Sequence, residues 1–242
     1  MSKIKLLTAI ILAFSFFGFS ANAFADSVFE LDLSAYQGRD ISQVLNEALR
    51  DNKSVIISKG NYNIATPILM NADNILDLNG STLSHQVGAE WAILKKNNGF
   101  NKVSTKGYEG FGFTLKNGII NLNRRAGLAI GHAPYALIDG ITFKNINGDG
   151  THAIEVSGSK NVVISNNIFE NQIVKEETAK KLFKEIIQIE YSAPIAFPYF
   201  GEYDDTPSVN TTIENNTFRS FDIAIGNHYS IAGKNPKHSY SK

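Results

Sequence analysis

The 242-residue chain carries 23 basic and 23 acidic residues, five histidines and no cysteine. That balance excludes a nucleic-acid protein, because phosphate-backbone binding needs a concentrated basic face, and the missing cysteines exclude disulfides and thiolate metal sites. What remains is a chain of a length suited to one domain, stabilised by its packed core and backbone ladders.

The first residues read as an export signal. Lys3 and Lys5 precede an apolar stretch from Ile10 to Phe19, and Ala23-Phe24-Ala25 before Asp26 supplies the small-residue cleavage pattern. The apolar part is too short for a good membrane span. The expected organisation is a signal peptide over residues 1–25 and a single domain over 26–242, secreted to the periplasm or the extracellular space, with no membrane span after cleavage. Next along the chain, Ile41, Val44, Leu45, Ala48 and Leu49 form an i, i+3, i+4, i+7, i+8 stripe. This spacing predicts an amphipathic helix over residues 40–51. Asp40 with Gln43 has the form of a capping box at its start. A short helix before a solenoid would cover the open end of the stack.

The second half hides a repeat. Leu137–Asn145 (LIDGITFKN), Val163–Asn171 (VISNNIFEN) and Thr212–Ser220 (TIENNTFRS) align without gaps, and Leu115–Asn121 and Leu78–Leu83 fit the same frame more loosely. The frame holds an apolar column, Leu83, Ile120, Phe143, Phe169 and Phe218, with successive gaps of 37, 23, 26 and 49 residues. It also holds a punctuation column of Gly80, Asn117, Gly140, Asn166 and Asn215. Glycine and asparagine tolerate left-handed backbone angles, and a β-helix needs one such turn in every coil. Gaps of 23 and 26 match a single coil. The fold class is therefore all-β, a right-handed parallel β-helix with a short N-terminal amphipathic cap helix.

A second set of strands lies between these rungs: 128–133, 152–157, 185–190 and 223–228. With Ile130, Ile154, Ile187 and Ile225 aligned inward, side-chain alternation turns the remaining set outward. That set is Ala129, Gly131 and Ala133, then Ala153, Glu155 and Ser157, then Ile186, Gln188 and Glu190, then Ala224, Gly226 and His228.

The run FELDLSAYQGRDISQVLNEALRDNKSVIISKGNYNI resembles the opening of pectate-lyase-like β-helix proteins, where a cap helix leads to a short strand and a G-x-Y turn. The VISNNIF and TIENNTF rungs are similar to the repeats of the same superfamily. That superfamily includes polysaccharide lyases, polygalacturonases, alginate epimerases, phage tailspikes and non-enzymatic surface proteins, so the resemblance implies a scaffold and not a reaction.

The candidate site is the outward group Glu155, Gln188, Glu190 and His228. Coils lie ~4.8 Å apart and residues advance ~3.3 Å along a strand, which separates the Glu155 and Glu190 backbones by roughly 8 Å. Carboxylates about 6.5 to 9.5 Å apart can work as acid and base in inverting glycoside hydrolysis. His152 stands just before the strand as a base or as an orienter of Glu155. The D-x-x-H-x-x-E run of Asp149, His152 and Glu155 is loosely similar to an alginate-epimerase signature. Two insertions flank this face. Gln172–Lys184 has the content of a short helix, and Ser192–Ser208 brings Tyr199 and Tyr203 as a stacking wall, with Asp204 and Asp205 as further acid/base or Ca²⁺-ligand candidates. The paired aspartates are similar to those of polygalacturonases, although no R-I-K match accompanies them.

Two functions follow. One is a secreted polysaccharide-cleaving enzyme, with hydrolysis favoured over a lyase reaction that would require Ca²⁺ on this acidic face; no cofactor is otherwise expected. The alternative is a non-catalytic glycan-binding or surface protein. It gains weight from Tyr229–Lys242, which show neither another I-x-x-N-x-F coil nor a cap helix; that end reads as a shortened relative of a longer enzyme, as one no longer active, or as a coil that self-associates or packs on a partner. The expected partner is a polysaccharide or a cell-surface glycan.

Overall fold

The computed structural model describes residues 27–86, 91–95, 106–147, 151–173, 185–192, 203–227 and 240–241. The export-signal segment, Tyr199, His228 and residues 174–184 therefore lie outside the described residues. The chain starts with β1 (Val28–Leu31), a 3-10 turn (Ser34–Tyr36) and α1 (Ser42–Asp51). It then winds through β2 (Ser54–Ile57), β3 (Asn61–Ile64), β4 (Ile68–Met70), β5 (Ile75–Asp77), β6 (Thr82–His85), β7 (Trp91–Lys95), β8 (Thr114–Asn121) and β9 (Ala126–Gly131). The later coils contain β10 (Ala136–Asn147), β11 (Ile154–Ser157), β12 (Val162–Ser165), β13 (Ile168–Ile173), β14 (Glu185–Glu190), β15 (Thr211–Glu214), β16 (Thr217–Arg219), β17 (Ile223–Gly226) and β18 (Tyr240–Ser241).

The described strand pairs are parallel, each strand joining its counterpart one coil away, as in the right-handed β-helix expected from the repeat. Three faces result. The first runs β1-β2-β5-β8-β10-β12-β15-β18, the second β3-β6-β8-β10-β13-β16, and the third is the six-stranded sheet β4-β7-β9-β11-β14-β17. The long strands β8 and β10 serve the first two faces at once, bending between them at Asn117 and Gly140. Those two residues, together with Gly80, Asn166 and Asn215, all have φ between 55° and 72°. The punctuation column is thus the corner of the coil, where only residues that accept the left-handed region fit. A second corner escaped the sequence reading. Asn145, Asn171 and Ser220 also have positive φ, and the side-chain amide of Asn145 donates to Asn121 (2.8 Å) while that of Asn171 donates to Asn145.

The core column is as expected. Leu83 pairs with Ile120, Ile120 with Phe143, Phe143 with Phe169, and Phe169 with Phe218. The Phe143 and Phe169 rings stack at 5.0 Å and 3°, and those of Phe169 and Phe218 at 4.9 Å and 10°. Outside the column, Tyr62 is buried with its hydroxyl donating to the Ser58 carbonyl at 2.8 Å. The neighbouring Gly60 leaves no room for a side chain: a Cβ there would stand 2.1 Å from the Gln37 amide.

Helix α1 buries Leu45, Ala48 and Leu49, with Ile41 just ahead of it and Val44 partly covered against the same core. The expected capping box does not form: Asp40 accepts from the Ser42 N–H at 3.0 Å just ahead of the helix, whose N-cap position is Ile41, and Gln43 donates along the helix to Glu47 at 3.0 Å. Asn46 covers the edge of the six-stranded sheet. Its amide donates to the Pro67 carbonyl (3.0 Å) and accepts from the Leu69 N–H (2.7 Å), which supplies β4 with the partner a missing strand would have given.

Two further expectations change. Gln172 and Ile173, assigned to a helical insertion, extend β13 in register with β10. Tyr240–Ser241 pairs in parallel with β15, so residues read as lacking a further coil add a strand to the first face. Among the described residues, no helix is long and apolar enough to cross a membrane.

Candidate functional site

On the third face, Leu128 lies beside Ile154, which lies beside Ile187, which lies beside Ile225. The sequence frame placed Ile130 in that row, so β9 slides by two residues. The slip preserves which side chains face out, because a shift of two keeps the alternation. The outward column then runs Ala129, Glu155, Gln188 and Gly226, and the next column pairs Gly131 with Ser157 and Ser157 with Glu190. Glu155 and Glu190 thus sit on adjacent strands two positions apart, as the alignment placed them.

Their environment differs from that expectation. Glu155, Gln188 and Glu190 are completely buried, as is Ser157 to within 1%, so this side of the sheet is a sealed polar layer rather than an open glycan platform. The alternation identified the side correctly but not its burial. The main core lies on the opposite side, with Ile154, Val156, Ile187 and Ile189. Burial is the largest influence holding the Glu155 carboxyl well above the usual glutamate range. The charges of Glu190 and Glu185 add to that effect. The Gln188 amide reaches Glu190 at 3.5 Å, at the limit of hydrogen bonding. This setting favours the neutral acid over the carboxylate.

The other expected members have structural partners. His152 is buried, and its Nδ1 donates to the main-chain carbonyl of Glu185 on β14, which ties successive coils together. Asp204 accepts from the Thr206 N–H (3.1 Å), the Thr206 hydroxyl (2.6 Å) and the Gly107 N–H (2.7 Å). Partial burial alone would raise its pKa; the bonds from Thr206 and Gly107, with the charge of His132, outweigh that and lower it. Asp205 adopts φ 59° and donates its N–H to the Ser192 carbonyl at 2.9 Å, making a turn. Tyr203 is exposed.

His132, like His152 a histidine beside a turn, also holds a structural position. It is buried, with Nδ1 2.8 Å from the Gly107 carbonyl and Nε2 3.0 Å from the Ser192 hydroxyl. An Nδ1–H tautomer satisfies both contacts, and together with the Asp204–Gly107 bond it joins three segments distant in sequence. Only its adjacency to the turn before β10 hinted at this. Among the described residues no three histidine, aspartate or glutamate side chains converge on a metal position.

No protein-family model matches the chain. It is 36% identical over 124 residues to the plasmin and fibronectin-binding protein A of Streptococcus pneumoniae, an alignment covering 48% of this chain and 17% of that protein. The chain therefore spans about a sixth of that relative's length. Two solved structures have the same fold. One, of the Streptococcus pneumoniae surface protein and adhesin PfbA, superposes with a TM-score of 0.63 at 23% identity, over 87% of this chain and 60% of that one. The other, a crystal structure of PfbA as a surface adhesin of the same organism, gives 0.62 at 22% identity, over 87% and 56%. At such identities the superpositions speak for the fold alone.

Proposed function

We propose that this chain is a non-catalytic β-helical module, exported by the signal over residues 1–25, that binds an extracellular protein at a cell surface. The observation that carries this reading is the 36% identity over 124 residues to a protein named for binding plasmin and fibronectin. The sealed layer supports it. A polysaccharide-cleaving pair has to touch its substrate, and Glu155 and Glu190 are both buried. The resemblance to pectate-lyase-like proteins concerns the scaffold, which hosts catalysts and adhesins alike. One feature favours the enzymatic alternative: a carboxyl whose pKa burial raises is what a general acid requires.

The test is a binding screen of the purified protein against immobilised fibronectin and plasmin by surface plasmon resonance. A polysaccharide panel is read in parallel for new reducing ends and for unsaturated uronides. Saturable protein binding without glycan cleavage is expected. Cleavage of any polysaccharide, with neither protein bound, would overturn the proposal.

A further inference from the structure

The first face ends at β1, which pairs with β2 and with no other described strand. A parallel ladder engages the N–H and C=O of alternate residues. The Leu31 carbonyl accepts from the Ser58 N–H at 2.9 Å, so Leu31 and Phe29 turn toward β2, and Val28 and Glu30 present their backbone groups to the open edge. The third face, at the same end of the solenoid, has its edge closed, because Asn46 serves the Leu69 N–H and the Pro67 carbonyl. Among the described residues no side chain does the same for Glu30.

The two sides of this edge differ in chemistry. Phe29 and Leu31 align with the core residues Val55 and Ile57 and so continue the inward column, yet Phe29 is 40% exposed where Val55 and Ile57 are completely buried. On the outer side Glu30 and Asp32 are exposed, and neither takes part in an ion pair among the described residues. A chain that added to β1 would lay alternate side chains beside Phe29 and Leu31 on one side and beside Glu30 and Asp32 on the other. A helix offers no backbone groups to such an edge, whereas an extended segment does. A second copy pairing through its own β1 is disfavoured: in a two-fold antiparallel ladder Glu30 and Asp32 would face the same two residues of the copy, and like charges opposite one another destabilise a sheet. Basic residues at those positions reverse the sign.

We propose that the free edge of β1 is a docking site for an extended segment of a partner protein in which apolar residues alternate with lysine or arginine, added as a further strand to the first face. This deepens the protein-binding reading and rests on it. The apolar side chains extend the core over Phe29 and Leu31, the basic ones pair with Glu30 and Asp32, and the backbone takes up the groups of Val28 and Glu30.

The probe is a fluorescein-labelled peptide of about ten residues in which valine and lysine alternate, compared with a peptide of the same composition arranged in blocks and with one that alternates valine and glutamate. Each is titrated with the purified protein by fluorescence anisotropy. The valine–lysine peptide should bind saturably and the other two should not. Glu30→Pro removes the outward N–H but no bond to β2, the one setting in which a strand accepts proline, and should weaken binding by about tenfold or more. Glu30→Gln removes the charge alone and should weaken it by about two- to fivefold. If the proline variant does not fold, amide exchange of the parent protein decides: under saturating peptide the Glu30 N–H should exchange more slowly by about tenfold or more, while the Leu31 N–H, which faces β2, should change little. Absence of binding, equal binding of the alternating and block peptides, full affinity in a folded Glu30→Pro variant, or unchanged Glu30 exchange under saturating peptide would overturn the proposal and leave the two acidic residues as guards against edge-to-edge aggregation. The parent reading is separable. Fibronectin or plasmin binding beside failure of the peptide would leave the chain a protein binder and remove the edge, and edge-dependent peptide binding with neither protein bound would do the reverse.

Discussion

Replacing Phe169 by alanine removes the centre of the aromatic column. The ring is completely buried and lies between two others, 5.0 Å from Phe143 and 4.9 Å from Phe218. Truncating a buried phenylalanine costs about 3–5 kcal/mol through lost transfer energy and the cavity left behind. Each stacked pair adds about 0.5–1.5 kcal/mol beyond area, and two are lost, so the upper end of the range applies, about 4–5 kcal/mol. In urea, with a slope of about 3 kcal/mol per M, the midpoint should fall by about 1.5 M at constant slope. Phe218→Ala, at a partly buried position, should cost about half as much. A midpoint shift below about 0.3 M for Phe169→Ala would mean that the column does not carry the core, and the account of the repeat would fail.

Other perturbations test the corners, the cap and the sealed layer. Asn215, exposed with φ 55°, should lose about 1 kcal/mol on change to alanine and almost nothing on change to glycine, measured by thermal unfolding; equal losses would exclude a backbone origin. Asn46→Ala leaves the Leu69 N–H and the Pro67 carbonyl at the sheet edge without their partner and should cost about 1–3 kcal/mol, with faster amide exchange in β4 as its local signature. Glu155 holds its proton to higher pH in the folded state than in the unfolded chain. Its contribution to stability is therefore complete below the unfolded glutamate value of about 4.3 and declines as pH rises toward the folded value, by at most about 1.4 kcal/mol per pH unit. Glu155→Gln should remove that decline, and parallel stability–pH curves for the two proteins would show that the carboxyl is solvated.

Much of the fold was legible because the repeat encodes it twice. Phenylalanines recurring in step with asparagines and glycines define both the inward column and the left-handed corner, and the structure has both. The second corner was harder to see, since Asn145, Asn171 and Ser220 end their rungs with one member that is not asparagine. The two-residue slip of β9 arose because Leu128 and Ile130 are equally apolar and share a face, so either satisfies the alternation. At the candidate site the sequence located the carboxylates on adjacent strands but not their burial. Alternation reports only the side of a sheet on which a residue lies, whereas burial depends on distant segments of chain that cover it. Asp204 and His132 illustrate the same limit, for their partner Gly107 is far away in sequence.

The central claim, that this β-helix binds protein without using its carboxyl pair, is tested most directly by a Glu155→Gln/Glu190→Gln double variant carried through the fibronectin, plasmin and polysaccharide assays beside the parent chain. The amides keep the size and shape of both side chains, so the fold should persist. Protein binding should be unchanged and glycan cleavage absent in both proteins; polysaccharide cleavage by the parent chain that disappears in the double variant would contradict the account.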